Sequence, residues 1–260
     1  MILTNDNYYS AEANRAYLSV SQYKQFLKCE AAAMAQLKGE WEPEKTTALL
    51  VGSYIDSYFE GTLEAFKREN AELIFTQAGR LKADYKQAEE IIAFLKDDRV
   101  FMEYMGGEKQ IIRTGELFGV QWKIKIDSLL PDKIVDLKIM RSMERIMGRS
   151  FVEHWGYDLQ MAIYAAIEGN GLETYLAAAT KQSPPDKEII EIPAWRREEL
   201  LEEAERNIPR IIALKSETAE PIRCGVCPYC RATKKLTEPI DYQMVGLSSE
   251  ERRAIFGRYT

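Results

Sequence analysis

Between Lys123 and Met140 the chain reads KIKIDSLLPDKIVDLKIM, and this stretch narrows the choice of fold more than any other. Apolar residues dominate on both sides of Pro131-Asp132, which predicts two short strands joined by a turn. The first strand carries Asp127 near its end, and the second carries Asp136 and Lys138. Side chains alternate faces along a strand, so Asp136 and Lys138 point the same way. A third strand precedes them, with a turn at Phe118-Gly119.

Helical periods surround this block. The segment from Leu18 reads as a helix that starts at Ser19 or Ser21 and ends at Gly39. Further helices are predicted over Thr46 to Glu60, Ala83 to Lys96, Phe151 to Ile167 and Arg196 to Leu214. Two more strands are predicted over Thr174 to Ala179 and Lys187 to Ile192, around Ser183-Pro184-Pro185. The order predicts an α/β (α+β) fold, a central mixed β-sheet flanked by helices. The sheet is mixed because hairpin-like links join its first strands. At 260 residues the chain suffices for one sizeable core, placed at 1–236, with a loosely ordered tail over 237–260.

Composition removes several function classes. Apolar residues make up 46% and charged residues 29%, as in ordinary globular proteins. No run approaches the ~18 apolar residues of a membrane helix. The N-terminus lacks a basic-then-apolar signal pattern, so a cytoplasmic protein is expected. The net charge of −6 argues against a surface coated in positive charge for nucleic acid, but not against a local basic groove. A single histidine, His154, excludes a His-rich metal site and makes a Ser-His-Asp triad a poor reading. It is expected to be structural or surface-exposed.

The acids and the lysine suit phosphodiester hydrolysis. That reaction needs an activated water and a neutralised phosphate, and one or two Mg²⁺ ions supply both. Mg²⁺ prefers oxygen ligands and keeps several waters, so two or three carboxylates suffice. Asp127 and Asp136 would hold the ion, with the backbone carbonyl of Leu137 as a further ligand, and Mn²⁺ could replace Mg²⁺. Lys138 would sit by the attacking water and the phosphate, as a positioned charge or a proton-transfer group. Taken alone, Asp-x-Lys on a strand is more often a solvated ion pair.

The company these residues keep resembles the PD-(D/E)XK nuclease superfamily, and within it the RecB/RecE-like exonucleases of phage and bacterial recombination. Ile126-Asp127 and Val135-Asp136-Leu137-Lys138 match the two strand motifs. The run from Tyr157 to Tyr164 matches the Gln-x-x-x-Tyr helix through Gln160 and Tyr164. The run from Gly52 to Gly61 occupies the early helix, where Asp56 stands in place of the His of many relatives. The resemblance spans about Leu18 to Leu236 and implies a restriction-endonuclease-like core. It implies metal binding by Asp56, Asp127 and Asp136, with Glu60 as the alternative to Asp56. It gives Gln160 and Tyr164 to DNA contact and to support of Lys138. The implied activity is Mg²⁺-dependent DNA end resection. A single-strand annealing recombination protein and further copies of the chain are conceivable partners. The His-to-Asp change motivates a second reading, a catalytically decayed DNA-binding or assembly module.

The cysteines form their own pattern. Cys224, Cys227 and Cys230 read C-x2-C-x2-C, and Cys29 stands far upstream. In a cytosolic protein these are expected to bind metal, not to form disulfides. The spacing echoes bacterial ferredoxins and predicts a [4Fe–4S] cluster, with Zn²⁺ as the alternative, since zinc sites more often use two separate C-x2-C pairs. Three cysteines this close are expected to span one zinc tetrahedron with difficulty. AddB-type helicase-nucleases and CRISPR-adaptation nucleases resemble this layout, and in them the cluster staples the ends of the domain. For phosphate contact the candidates are Arg141, Arg145 and Arg149, one basic stripe if helical, with Lys234 and Lys235. Tyr54 and Tyr58 flank Asp56 and would either stack on a base or pack in the core.

Overall fold

A computed structural model describes residues 1–44, 46–236 and 239–256 of the chain. The helices are α1 (Ala11–Ala16), α2 (Val20–Lys28), α3 (Glu30–Lys38), α4 (Thr47–Phe59), α5 (Leu63–Glu69), α6 (Ala71–Ile74), α7 (Ala83–Lys96) and α8 (Arg99–Tyr104). The strands β1 (Ile111–Leu117), β2 (Val120–Ile126), β3 (Ser128–Leu129) and β4 (Lys133–Met140) follow. After them come α9 (Phe151–Trp155), α10 (Tyr157–Glu168), β5 (Glu173–Thr180), β6 (Lys187–Glu191), α11 (Ala194–Lys215), α12 (Pro228–Ala232) and α13 (Ser249–Phe256). Among the described residues no helix is long and apolar enough to cross a membrane.

By its internal contacts the chain divides into two compact units. The first takes Met1–Pro43, Phe118–Trp122 and the chain from Ala204 onward; the second takes Glu44–Leu117 and Lys123–Glu203. The division falls inside β2 and inside α11.

In the first unit, one predicted helix becomes two. Ser19 caps α2, its Oγ accepting from the Gln22 N–H at 3.3 Å. The helix stops at Cys29, whose backbone is extended at φ −166° and ψ 105°, and α3 starts afresh to end at Gly39 in the left-handed region. Tyr23, Phe26, Trp122, Ile208 and Ile211 are buried here. Polar ties join segments far apart in sequence. Arg210 grips the Glu30 carboxylate through Nε (2.9 Å) and Nη2 (2.6 Å), and the Ile222 N–H donates to the same carboxylate at 2.7 Å. The expected tail at 237–260 falls partly outside the described residues, at Thr237, Glu238 and 257–260. Within the described part, the Ser249 N–H donates to the Cys224 carbonyl at 2.8 Å, and its hydroxyl to the Arg223 carbonyl at 2.6 Å.

The second unit holds the mixed sheet, in the order β3-β4-β5-β6. β4 runs parallel to β5, while β3 and β6 are antiparallel edges. One face carries Val135, Leu137, Ala177 and Ala179, packed with Tyr54, Ile55, Ile91, Leu95 and Phe101 of α4, α7 and α8. α7 covers the residues expected for it, with Tyr85, Ala88, Ile91, Ile92 and Leu95 inward at helical spacing. Asp136 and Lys138 point to the opposite face. β1 and β2 form a separate two-stranded sheet, joined by Phe118 (φ 57°) and Gly119 (φ 74°), the paired left-handed residues of a tight hairpin.

Candidate active site

Asp127 is placed by a change of sheet. β2 pairs with β1, whereas β3, two residues long, pairs with β4, and Asp127 is the bend between them. It therefore lies just past the strand expected to carry it. The β3–β4 register covers Ser128↔Val135 and Leu129↔Ile134 and then stops. This leaves the next edge-facing N–H, that of Leu137, to donate to Asp127 Oδ2 at 2.9 Å. A strand residue's N–H and C=O point to the same edge. The Leu137 carbonyl is thus turned toward Asp127 as well.

Asp136 is almost wholly buried, at 2% exposure. Its Oδ1 accepts from Gln160 Nε2 at 2.6 Å, and Lys138 Nζ pairs with its Oδ2. Lys138 also lies 5.1 Å from the centre of the Tyr157 ring. Asp56, on α4, faces the same group of charges: Asp127, Lys138, Glu60 and Asp136 all act on it. A cavity of ≈ 10 Å³ separates α4 from the bend. Asp56, Phe59, Glu60, Met105, Gln110, Asp127 and Leu137 line it. That is room for about one water or one ion.

The protonation states reflect this crowding. Burial pushes the Asp127 carboxyl up to about 7, and the Asp136 carboxylate adds to the rise. Burial, then the charge of Asp127, holds Asp56 well above the usual carboxylate range. Burial pulls the Lys138 pKa down, but Asp136 and Asp127 outweigh it and the net direction is up, so Lys138 is an ammonium. Carboxyls whose pKa burial raises, lining a gap of one-ion size, fit a hard divalent cation, whose charge would reverse those shifts.

Tyr164 is buried on α10, one turn beyond Gln160. Gln160 faces Asp136 instead of solvent. Tyr54 is wholly buried in the core, its hydroxyl on Glu89, and is not placed to stack on a base. Tyr58 is half-buried with Phe59 edge-on at 5.2 Å. His154 is exposed against the edge of Trp155. The basic stripe does not form. Residues 141–149 are not helical, because Met147 (φ 51°) and Gly148 (φ 80°) make a tight turn. Arg145 spends its guanidinium on the Gly148 carbonyl, at 3.1 and 2.8 Å, while Arg141 and Arg149 are exposed. Lys234 and Lys235 are exposed in the first unit. Gln110 and Tyr157 had no role in the sequence reading. Gln110 stands alone before β1 with no spacing to mark it.

The four thiols meet in the first unit. Their sulfurs all lie within 4.8 Å of one another, with Cys29–Cys230 at 3.7 Å and Cys224–Cys230 at 3.9 Å. C-x2-C-x2-C and the distant Cys29 therefore do come together, at separations where difficulty in spanning one zinc tetrahedron was expected. The chain winds into α12 so that the Cys227 N–H donates to Cys224 Sγ (3.3 Å) and the Cys230 N–H to Cys227 Sγ (3.4 Å). Burial raises the Cys224 thiol, but the N–H groups of Val226 and Cys227 outweigh it and bring it to about 7. Burial, with the neighbouring thiols, carries Cys230 up to about 12. Four thiolates on one ion at bonds of about 2.3 Å stand about 3.8 Å apart, so the set fits a thiolate-bound metal centre.

The sequence model of a family described as "PDDEXK-like domain of unknown function (DUF3799)" matches residues 19–233. A crystal structure described as "Putative exonuclease", from Eubacterium rectale, is 50% identical to the chain. The match covers 94% of this chain and 97% of that one, with a TM-score of 0.89. No curated protein matches.

Proposed function

The chain belongs to this family of PDDEXK-like domains, and we propose that it is a metal-dependent DNA exonuclease. The observation that carries the proposal is a gap of one-ion size lined by Asp56, Glu60, Asp127 and Leu137, with the charges of the Asp136–Lys138 pair acting on the two aspartates. In this reading Asp56, Asp127, Asp136 and the Leu137 carbonyl hold Mg²⁺ or Mn²⁺. The ion, when bound, neutralises the scissile phosphate and makes a water acidic enough to attack. Lys138 serves as a fixed positive charge for the phosphate, since its ammonium is stabilised by two carboxylates. Gln160 orients Asp136 and Tyr157 flanks Lys138. Tyr164 supports that helix face. Arg145 braces the turn after β4 through the Gly148 carbonyl, and Arg141, with the remaining Nη1 of Arg145, contacts the DNA backbone from that turn.

The proposed setting is end resection in phage-type recombination or repair, next to a single-strand annealing protein. The cysteines hold a structural centre. The C-x2-C-x2-C spacing favours [4Fe–4S], and the sulfur separations favour Zn²⁺. An anaerobic preparation separates the two by its visible spectrum and its iron and zinc content.

The activity test is a Lys138→Ala chain with end-labelled DNA and Mg²⁺. Cleavage should fall roughly 10³-fold, while DNA binding stays within a few-fold of wild type. Normal Mg²⁺-dependent cleavage by the variant would sink the assignment. A wild type that binds DNA but neither Mg²⁺ nor Mn²⁺ would favour the decayed module instead.

A further inference from the structure

Gln110 carries two unfavourable features at once. Its backbone sits in the left-handed region, φ 54°, which a side chain other than glycine's disfavours. Its Oε1 is buried and, among the described residues, has no hydrogen-bond partner. Leaving a buried amide oxygen unpaired costs the water it gave up with nothing in return. Glycine would relieve the backbone, and an apolar side chain would remove the orphan atom. Stability alone does not account for glutamine here, and such outliers concentrate at functional sites.

The surroundings supply a reason. Gln110 lines the one-ion cavity beside Asp56, Glu60 and Asp127. Its Nε2 donates to Asp127 Oδ1 at 3.2 Å, while Leu137 N–H donates to Oδ2. Both oxygens of the carboxylate are thus held from the protein side. An amide oxygen is a good ligand for a hard cation. It adds a donor where several carboxylates already crowd, without adding charge.

We propose that Gln110 belongs to the cation site: its Nε2 fixes the Asp127 carboxylate, and its Oε1 is a neutral oxygen donor to the ion held there. This rests on the metal-dependent reading above. The unpaired oxygen and the strained backbone are then the cost of a donor kept in place for the ion.

The test is Mn²⁺ affinity of the full chain, measured by titration calorimetry and by loss of the free-ion electron paramagnetic resonance signal, without DNA. Gln110→Leu removes both contacts and should weaken binding about 10-fold or more. Gln110→Gly should do the same while its Tm stays at or above that of wild type, a pairing that a packing role does not produce. Gln110→Glu keeps an oxygen at the same reach and should bind within a few-fold of wild type. Wild-type affinity in both Gln110→Leu and Gln110→Gly overturns the inference alone, and so does a Gln110→Glu chain as weak as Gln110→Leu. If the wild type itself takes up no Mn²⁺, the metal-dependent reading falls and the inference with it.

Discussion

Asp127 is the residue on which acidity and ion binding meet. Its folded carboxyl titrates at about 7, pushed there by burial and then by Asp136, against an ordinary value near 3.9. From about pH 4 to 7 the unfolded chain gives up this proton while the folded chain keeps it. The ion-free protein therefore loses stability as pH rises through that window, by at most about 1.4 kcal/mol per unit. A divalent ion needs the deprotonated carboxylate, so it competes with the proton. The rise in Tm on adding Mn²⁺ should be large at pH 8 and small at pH 5, and Asp127→Asn should flatten the pH dependence of the ion-free protein. Equal rises at both pH values would contradict this account. Asp127, Asp136 and Lys138 could be read from the sequence because strand alternation and a Pro-Asp turn fix where they point. Gln110 could not, because its importance comes from φ 54° and from an unpaired oxygen. Neither leaves a mark in residue order.

Helix α10 shows how an element brings a distant side chain to the sheet. Asp158, at 3% exposure, accepts from Arg196 Nε (3.0 Å) and Nη2 (2.8 Å) at the start of α11. Its other oxygen takes the Leu159 N–H at 2.9 Å. This anchors the N-terminal turn of α10, two residues before Gln160 meets Asp136. Asp158→Ala leaves Arg196 without its buried partner and should cost about 3 kcal/mol, read as a lower urea midpoint at unchanged m-value. A shift below about 0.5 kcal/mol would mean that α10 is held by its apolar face alone. At this scale periodicity gives presence more surely than continuity. The apolar stripe from Ser19 to Gly39 runs through Cys29 unbroken, yet the chain breaks there because the thiol turns to meet three others. Gly156 (φ 61°) likewise splits the predicted helix over Phe151 to Ile167 into α9 and α10. The arginines at four-residue spacing promised a helix that Met147 and Gly148 do not permit.

Across the whole chain, the first unit is assembled from sequence-distant pieces, with Cys29 on one and Cys224, Cys227 and Cys230 on the other. Closing so long a loop has an entropic cost that metal ligation offsets. Cys230→Ser should release the bound metal and lower Tm by about 5–10 °C, and chelation of the wild type should reproduce the effect. Identical melting of metal-loaded and stripped wild type would rule out a structural role. The sequence disclosed the cysteine set, but not that Phe118–Trp122 from the middle of the chain joins the same unit, since that depends on contacts between residues far apart in order. The same arrangement sets a timetable during synthesis. At about 5–20 residues per second, Cys29 is made roughly 10–40 s before Cys224. Throughout that interval it is a lone thiol on a nascent chain, so a metal held by all four cysteines, as proposed above, would be incorporated among the last events in making this protein.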